Sequence, residues 1–509
     1  MTTYGRPGVY ISERLLPAPI AVLGTANAAG AVIGEFAQGP ETVTLVTSWY
    51  DFVKQFGGYN AAYPATYGVG LFFTNGGSEL YVRRVLADDA EAATAVIPSN
   101  EEGGDDVAVI TAKNRGSDGN NINVTFTPAT VENLWNLTVS KETVVGTFAD
   151  TSNDIILETF VNLNLTDVLS SDFADTVVNQ ASKYISIAIA TGNDQEPVVD
   201  TIPLTGGENG AAPNGDDYIA VVEDLSTANR PLVLFSPELN TNERLANPIE
   251  DEPNVGSIYD SWISWSQDND AFVIVETQPD LSPDQAVTVA NTRLSSTNAA
   301  MYYPNVYISD PLGRSPSSLR KVGPAGAVAG LYLQTDKQTG PFKSPAGINA
   351  TLRGVVAIER AFTSGELDFL NANPSPVNAI RSVPGAGVVV MGARTLKNDG
   401  TANKYVNTRR SLIFLKKSLN DLTQFALFEN NDERLWARLR SAITVFLSGY
   451  QNQGGLRGAT PAEAFYVKCD AENNPDDSIA SGEVHIEIGV ALQYPAEFVV
   501  INLSQKTSA

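Results

Sequence analysis

Apolar and polar positions along this chain fall into two kinds of run. Pro231-Leu232-Val233-Leu234-Phe235 and Ala271-Phe272-Val273-Ile274-Val275 are apolar throughout, the pattern of strands buried on both faces of a parallel sheet. Ala31–Phe36, Leu80–Val85, Met301–Ile308 and Val388–Arg394 read as further strands. Helical periodicity lies between them. Ser48 can cap a helix that Gly57 stops, with Asp51 at the capping-box spacing. Thr66–Phe73, the crossover Asp284–Ser296, a small-residue stretch through Gly330, and Arg409–Leu419 read as helices. Asn431–Tyr450 is a long amphipathic helix with Leu435, Trp436, Leu439, Ile443, Phe446, Leu447 and Tyr450 on one side.

Between residues 91 and 205 the pattern changes. Asn121–Thr127, Leu134–Ser140, Asp154–Asn162 and Tyr184–Ile189 are short β-like runs. Their borders are acidic: Leu86–Ala112 and Tyr184–Asn229 hold no Lys or Arg. This reads as an inserted, mostly β module, a solvated decoration. The organisation is a multi-domain α/β and α+β chain: an extended arm over 1–20, an α/β part over 21–90, the insertion over 91–205, an α/β domain over 206–380, an α+β domain over 381–494, and a second arm over 495–509.

The two ends point to assembly. Tyr4–Glu13 is extended and proline-punctuated, and Val484–Val490 and Glu497–Leu503 are strand-like. Apolar ends this short cannot bury themselves. Val9, Tyr10 and Ile11, and Phe498, Val499, Val500 and Ile501, fit strands added to a neighbouring copy. Pro17, Pro19 and Pro495 fit the hinges of such arms.

Composition narrows the chemistry. The net charge of −25 argues against a partner held through its phosphates, so no nucleic acid is expected. No apolar run approaches the roughly 18 residues of a membrane span, and Met1–Arg6 lacks the apolar segment of a signal peptide. The expectation is a chain folded in the cytosol without membrane insertion. Cys469 and His485 are the single cysteine and histidine. Cys469 reads as a plain buried thiol, and His485, inside a β-like run, as a solvent-facing or interface side chain. Nothing resembles a P-loop, a zinc cluster or a calcium loop, Asp268-Asn269-Asp270 being a turn and Gly385-Ala386-Gly387 too little for a dinucleotide site. No cofactor, metal or catalytic residue is expected.

A series of motifs then carries a resemblance. Arg6-Pro7-Gly8-Val9-Tyr10 with Glu13 opens it. Phe72-Phe73-Thr74-Asn75-Gly76-Gly77 and Tyr81-Val82-Arg83-Arg84-Val85 follow. Ala299–Pro304, Pro324–Gly330, Gly392–Leu396, Tyr405–Arg410, Gly454–Gly458 and Tyr466–Asp470 continue it. In their order these segments resemble contractile phage tail sheath proteins over nearly the whole chain apart from the insertion. The resemblance implies a subtilisin-like α/β middle domain without the protease triad. It implies stacked hexameric rings of this chain around a tail tube protein, ending at baseplate and tail terminator proteins, in a virion tail assembled in the bacterial host cytoplasm. The woven arms would hold while the rings compact, releasing energy stored at assembly. The family meets its tube through a helix of its carboxy-terminal domain; Arg434 and Arg438, one turn apart on the polar face, are the first choice here, with Lys416 and Lys417 second. Alternatives are the sheath of a tailocin or contractile injection system, a subtilisin-like or carbohydrate-active enzyme, and a surface adhesin.

Overall fold

The computed structural model describes residues 28–497, apart from 142–143, 146–147, 150–154, 191–194, 247, 249–251, 314, 316–317 and 399. The arm readings at Val9, Tyr10, Ile11, Pro17 and Pro19, and at Phe498, Val499, Val500 and Ile501, lie outside the described residues. Two compact units divide the rest: residues 28–410 with 494–497, and residues 411–493.

The larger unit opens with β1 (Ala29–Gly34), β2 (Thr44–Val46), α1 (Trp49–Phe56), α2 (Ala65–Thr74) and β3 (Leu80–Arg84). Helix α1 starts where the spacing predicts: Ser48 Oγ accepts from Asp51 N at 3.1 Å, while the Asp51 carboxylate reaches back to Thr47 N. Gly57 ends it at φ 91°, a conformation that only glycine adopts cheaply.

The chain next forms β4 (Thr94–Ile97), β5 (Ala108–Ala112), β6 (Ile122–Pro128), β7 (Trp135–Lys141), the short β8 (Val144–Val145) and β9 (Phe148–Ala149), β10 (Ile155–Leu163), α3 (Ala174–Ala181), β11 (Ile185–Ile189) and β12 (Thr201–Pro203). The four expected β runs appear as β6, β7, β10 and β11. They build antiparallel sheets ordered β10-β7-β6-β12 and β11-β5-β4. Every second side chain of β5 and β11, of Ile122–Phe126 in β6 and of Trp135–Val139 in β7 is buried, and Ile110, Phe126, Leu137, Val139 and Ile187 share one core. One face in and one face out is what an antiparallel sheet allows.

The chain returns through α4 (Gly215–Ala220), β13 (Leu232–Phe235), α5 (Glu243–Ala246), α6 (Val255–Asp268), β14 (Phe272–Glu276), α7 (Pro283–Thr292) and β15 (Ala299–Tyr303). It continues as β16 (Val306–Ser309), β17 (Leu319–Val322), α8 (Ala325–Gln338), β18 (Val355–Ile358), α9 (Ser364–Ala372), β19 (Val377–Val383) and β20 (Gly387–Val390). An eight-stranded sheet results, ordered β2-β3-β1-β13-β14-β15-β19-β20. Its six central strands are parallel, and β2 and β20 are antiparallel edges. Side chains alternate across the strands. Ala31, Leu234, Val273 and Met301 join Tyr259, Trp262, Ala286 and Ala290 of α6 and α7 in one core. The alternate residues Phe272 and Tyr302 meet Tyr332 of α8.

Two strand readings need correction. Met301–Ile308 is not one strand: β15 runs in the large sheet and β16 in a separate antiparallel sheet with β17 and β18. Pro304 between them has no N–H to continue a ladder. The strand expected over Val388–Arg394 ends at Val390, and the Asn378 side chain takes both main-chain groups of Arg394. Gly385 and Gly387, both at positive φ, turn the β19–β20 hairpin.

The last elements are α10 (Val406–Thr423), α11 (Glu433–Asn452), α12 (Pro461–Ala464), β21 (Phe465–Lys468), α13 (Asp476–Ala480) and β22 (Glu487–Val490). Helix α11 buries the seven residues its periodicity singles out, and Phe414 of α10 stacks on its Tyr450. Cys469 is fully buried. His485 is exposed but precedes β22 rather than lying inside it. Asn474 occupies both its N–H and its carbonyl, so neither can join the ladder.

Candidate assembly interface

Sequence motifs about 250 residues apart meet in the larger unit. Helices α2 and α8 approach to near backbone contact because glycines face each other: a Cβ on Gly326 would stand 2.1 Å from the Gly68 carbonyl oxygen, and one on Gly330 2.3 Å from that of Phe72. Asn75, fully buried after α2, donates to the carbonyls of Leu71 and Arg353 and accepts from Arg353 N at 2.7 Å. The residue pattern Phe72–Gly77 is thus a helix stop and a clamp, and Pro324–Gly330 is the smooth helix face it needs.

Arg84 on β3 is fully buried, with Nε donating to Phe36 O and Nη1 to Gly39 O and Arg115 O, each at 3.0 Å. Burial pulls its pKa down, countered in part by Glu41. Its neighbour Arg83 points the other way and pairs with Asp224 at 2.7 Å. At the start of α10, Arg410 pairs with Asp336 of α8, Nη1 donating to Oδ1 at 2.9 Å, and its guanidinium lies over the Tyr332 ring. Burial raises the Asp336 pKa against the opposing pull of Arg410.

Residues 494–497 belong to the larger unit. Arg394 is 7% exposed. Its Nε and Nη2 each donate to a Glu497 oxygen at 2.6 Å, and its Nη1 to Asn371 O at 2.8 Å. Planar bidentate pairing is the strongest fork a guanidinium makes. Glu497 stands two residues after Pro495, immediately before the apolar run. Its pairing escaped the sequence reading, since a single carboxylate has no periodicity to mark it.

Of the tube-facing choices, Arg434 and Arg438 stand on the exposed side of α11. Arg438 lies over the Phe425 ring, 5.0 Å from its centroid, and 3.9 Å from Glu429. On α10, Lys416 is exposed and Lys417 pairs with Asp421 at 3.0 Å.

Residues 244–396 match the phage tail sheath protein central domain and residues 398–506 the phage tail sheath C-terminal domain, together just over half of the chain. The chain belongs to the phage tail sheath family. The tail sheath protein of Vibrio phage KVP40 is 28% identical over 64% of this chain and 49% of its own length. That of Salmonella phage ViI is 24% identical over 36% of this chain and 28% of its own. The chain therefore spans about half the length of the curated sheath it matches most extensively here. Two solved sheaths share the fold. The anti-feeding prophage helical sheath in its contracted state has TM-score 0.59 at 20% identity, covering 99% of this chain and 100% of that one. The sheath tail protein of Listeria innocua has TM-score 0.60 at 13% identity, covering 92% and 96%. The sheath fold of this chain is a mixed α/β, multi-domain one. Among the described residues no helix is long and apolar enough to cross a membrane.

Proposed function

We propose that this chain is the structural subunit of a contractile tail sheath and not an enzyme. Copies stack as hexameric rings around a tail tube, between baseplate and terminator. The assembly stores energy when extended and contracts to drive the tube through a host envelope. The observation that carries this reading is the Arg394–Glu497 fork, which fastens the root of an apolar run too short to bury itself. A segment fastened at Glu497 and followed by the strand-like Phe498-Val499-Val500-Ile501 is suited to completing a neighbour's sheet. Val9, Tyr10 and Ile11 form the opposite link, with Pro17, Pro19 and Pro495 as hinges. The 206–380 domain is subtilisin-like without a triad, and the 381–494 domain turns Arg434, Arg438, Lys416 and Lys417 toward the tube. Tail and virion are the location, with assembly in the bacterial cytoplasm.

A contractile injection system is the second reading. It is favoured by the fold shared with the anti-feeding prophage sheath over 99% of this chain and 100% of that one. A capsid gene beside this one separates the two. The test of the sheath itself is electron microscopy of the purified chain with its co-encoded tube protein. Long hollow tubes with six-fold striations are expected; uniform small particles in that mixture overturn the proposal.

A further inference from the structure

A cleft of about 490 Å³ opens where the inserted strands meet α1 and the loop after β1. Its volume is in the range of sites that hold a small ligand or a few side chains. Among the described residues, Lys54, Arg84, Arg115, Lys141 and Lys183 line it, against one lining carboxylate, Asp118. This is a cationic island in a chain of 58 acidic and 33 basic residues. Three of the five cations are tied down. Arg84 lies beneath the floor, Arg115 forks onto Glu41, and Lys141 bridges Asp118 at 2.9 Å and Gln38 at 3.0 Å. Lys54 and Lys183 are exposed at the rim. Half-buried Leu157 and Tyr184 and exposed Ile155 add apolar wall. Nearby acidic groups are engaged: Glu158 accepts from Ser182 Oγ and Lys183 N, and Asp51 from Thr47 N and Gln55 Nε2.

The same module carries the opposite charge at its other end. The loop joining β4 to β5 is Pro98-Ser99-Asn100-Glu101-Glu102-Gly103-Gly104-Asp105-Asp106-Val107, with Glu101, Glu102, Asp105 and Asp106 exposed. Strand β5 leads from this tip to Asn114 and Arg115 of the cleft, and β11 pairs with it so that Lys183 and Tyr184 fall at the cleft end. Tip and cleft are thus a strand length apart, roughly 17 Å for five residues. Opposite charges at opposite ends cannot meet within one copy, but they meet between copies set head to tail, the contact that generates rings or helices.

We propose that the cleft receives the acidic Glu101–Asp106 tip of a second copy of this chain, a lateral contact between neighbouring inserted modules. The inference rests on the sheath reading for the crowding of identical copies. Solvated ion pairs are each worth little, about 0–1 kcal/mol, so such a contact can be remade when neighbours shift.

The test has two arms. A labelled peptide of residues 98–107 is titrated into the unassembled full chain at about 0.15 M salt, where charges are screened beyond about 8 Å. Saturable binding is expected, weakening with salt and falling about tenfold or more for Lys54→Glu with Lys183→Glu. Equal binding by that variant overturns the contact; saturable binding of inorganic phosphate with no peptide binding overturns it in favour of a small-anion site. In the second arm, the cleft reversal and the tip reversal Glu101→Lys, Glu102→Lys, Asp105→Lys each reduce tube formation, and one chain carrying both sets recovers it. Circular dichroism checks that every variant is folded. Normal tubes from both single sets overturn the inference alone, whereas absence of tubes from the unaltered chain with its tube protein overturns the sheath reading, and the peptide arm still decides the contact.

Discussion

Arg394 grips Glu497 through two contacts of 2.6 Å across 103 residues of sequence. This pair fixes Glu497 against the loop after β20. Arg394 is buried but Glu497 keeps contact with solvent, so the pair is worth about 1.5–3 kcal/mol, the range of hydrogen bonds to a charged group.

Arg394→Ala is therefore expected to free residues 494–497 while the fold persists. Proteolytic cleavage within this segment should quicken roughly tenfold, the equivalent of about 1.4 kcal/mol, with the Trp262 core unchanged. Arg394→Lys should recover only part, since an ammonium cannot fork. Unchanged cleavage in the alanine variant would show that residues 494–497 are held by something else.

Arg434→Glu with Arg438→Glu should weaken assembly on the tube and leave tube-free polysheath intact. Both side chains are exposed, so stability should move by less than about 1 kcal/mol. Sedimentation of sheath with and without tube reads the difference; equal loss in both would place the arginines in a sheath–sheath contact.

Gly326→Ala should destabilise the larger unit by about 1–3 kcal/mol, because its Cβ meets backbone at 2.1 Å rather than a movable side chain. Gly365→Ala, with open space around its Cβ in the first turn of α9, should be neutral or stabilising by about 0.5 kcal/mol. Urea unfolding of the two variants compares them directly, and similar midpoints would remove the close α2–α8 approach as a source of stability.

Glu276, at the end of β14, is held by Ala325 N at 3.0 Å, and burial pushes its pKa up from 4.5 to about 8. Unfolding lets it ionise at the ordinary value. Its contribution to stability is thus complete below about pH 4.5 and lost as the pH rises toward 8. Glu238 is also raised, by burial and by the Glu35 charge, and acts in the same direction. Melting temperature should fall between pH 5 and pH 8, and Glu276→Gln should flatten part of that fall. A fall of the same size in the variant would assign the slope elsewhere.

What the chain's own order determines is local. Solid apolar blocks announced β13 and β14, the 3.6-residue repeat announced the buried face of α11, and Ser48 and Gly57 announced the ends of α1. Each depends on neighbours a few residues away, so each is written in a short window. Pro304 and Asn378 interrupted two expected strands because ladder bonds are settled by which donors and acceptors remain once side chains have taken theirs. The motif order was legible too, but not its reason: Gly326 matters because Gly68 faces it, and Arg394 because Glu497 returns to it. The cationic cleft was wholly hidden, since Lys54, Arg115 and Lys183 come from segments more than 50 residues apart. Close backbone approach, ion pairing and charge convergence act through space between distant residues, and only the tertiary structure brings those residues within reach.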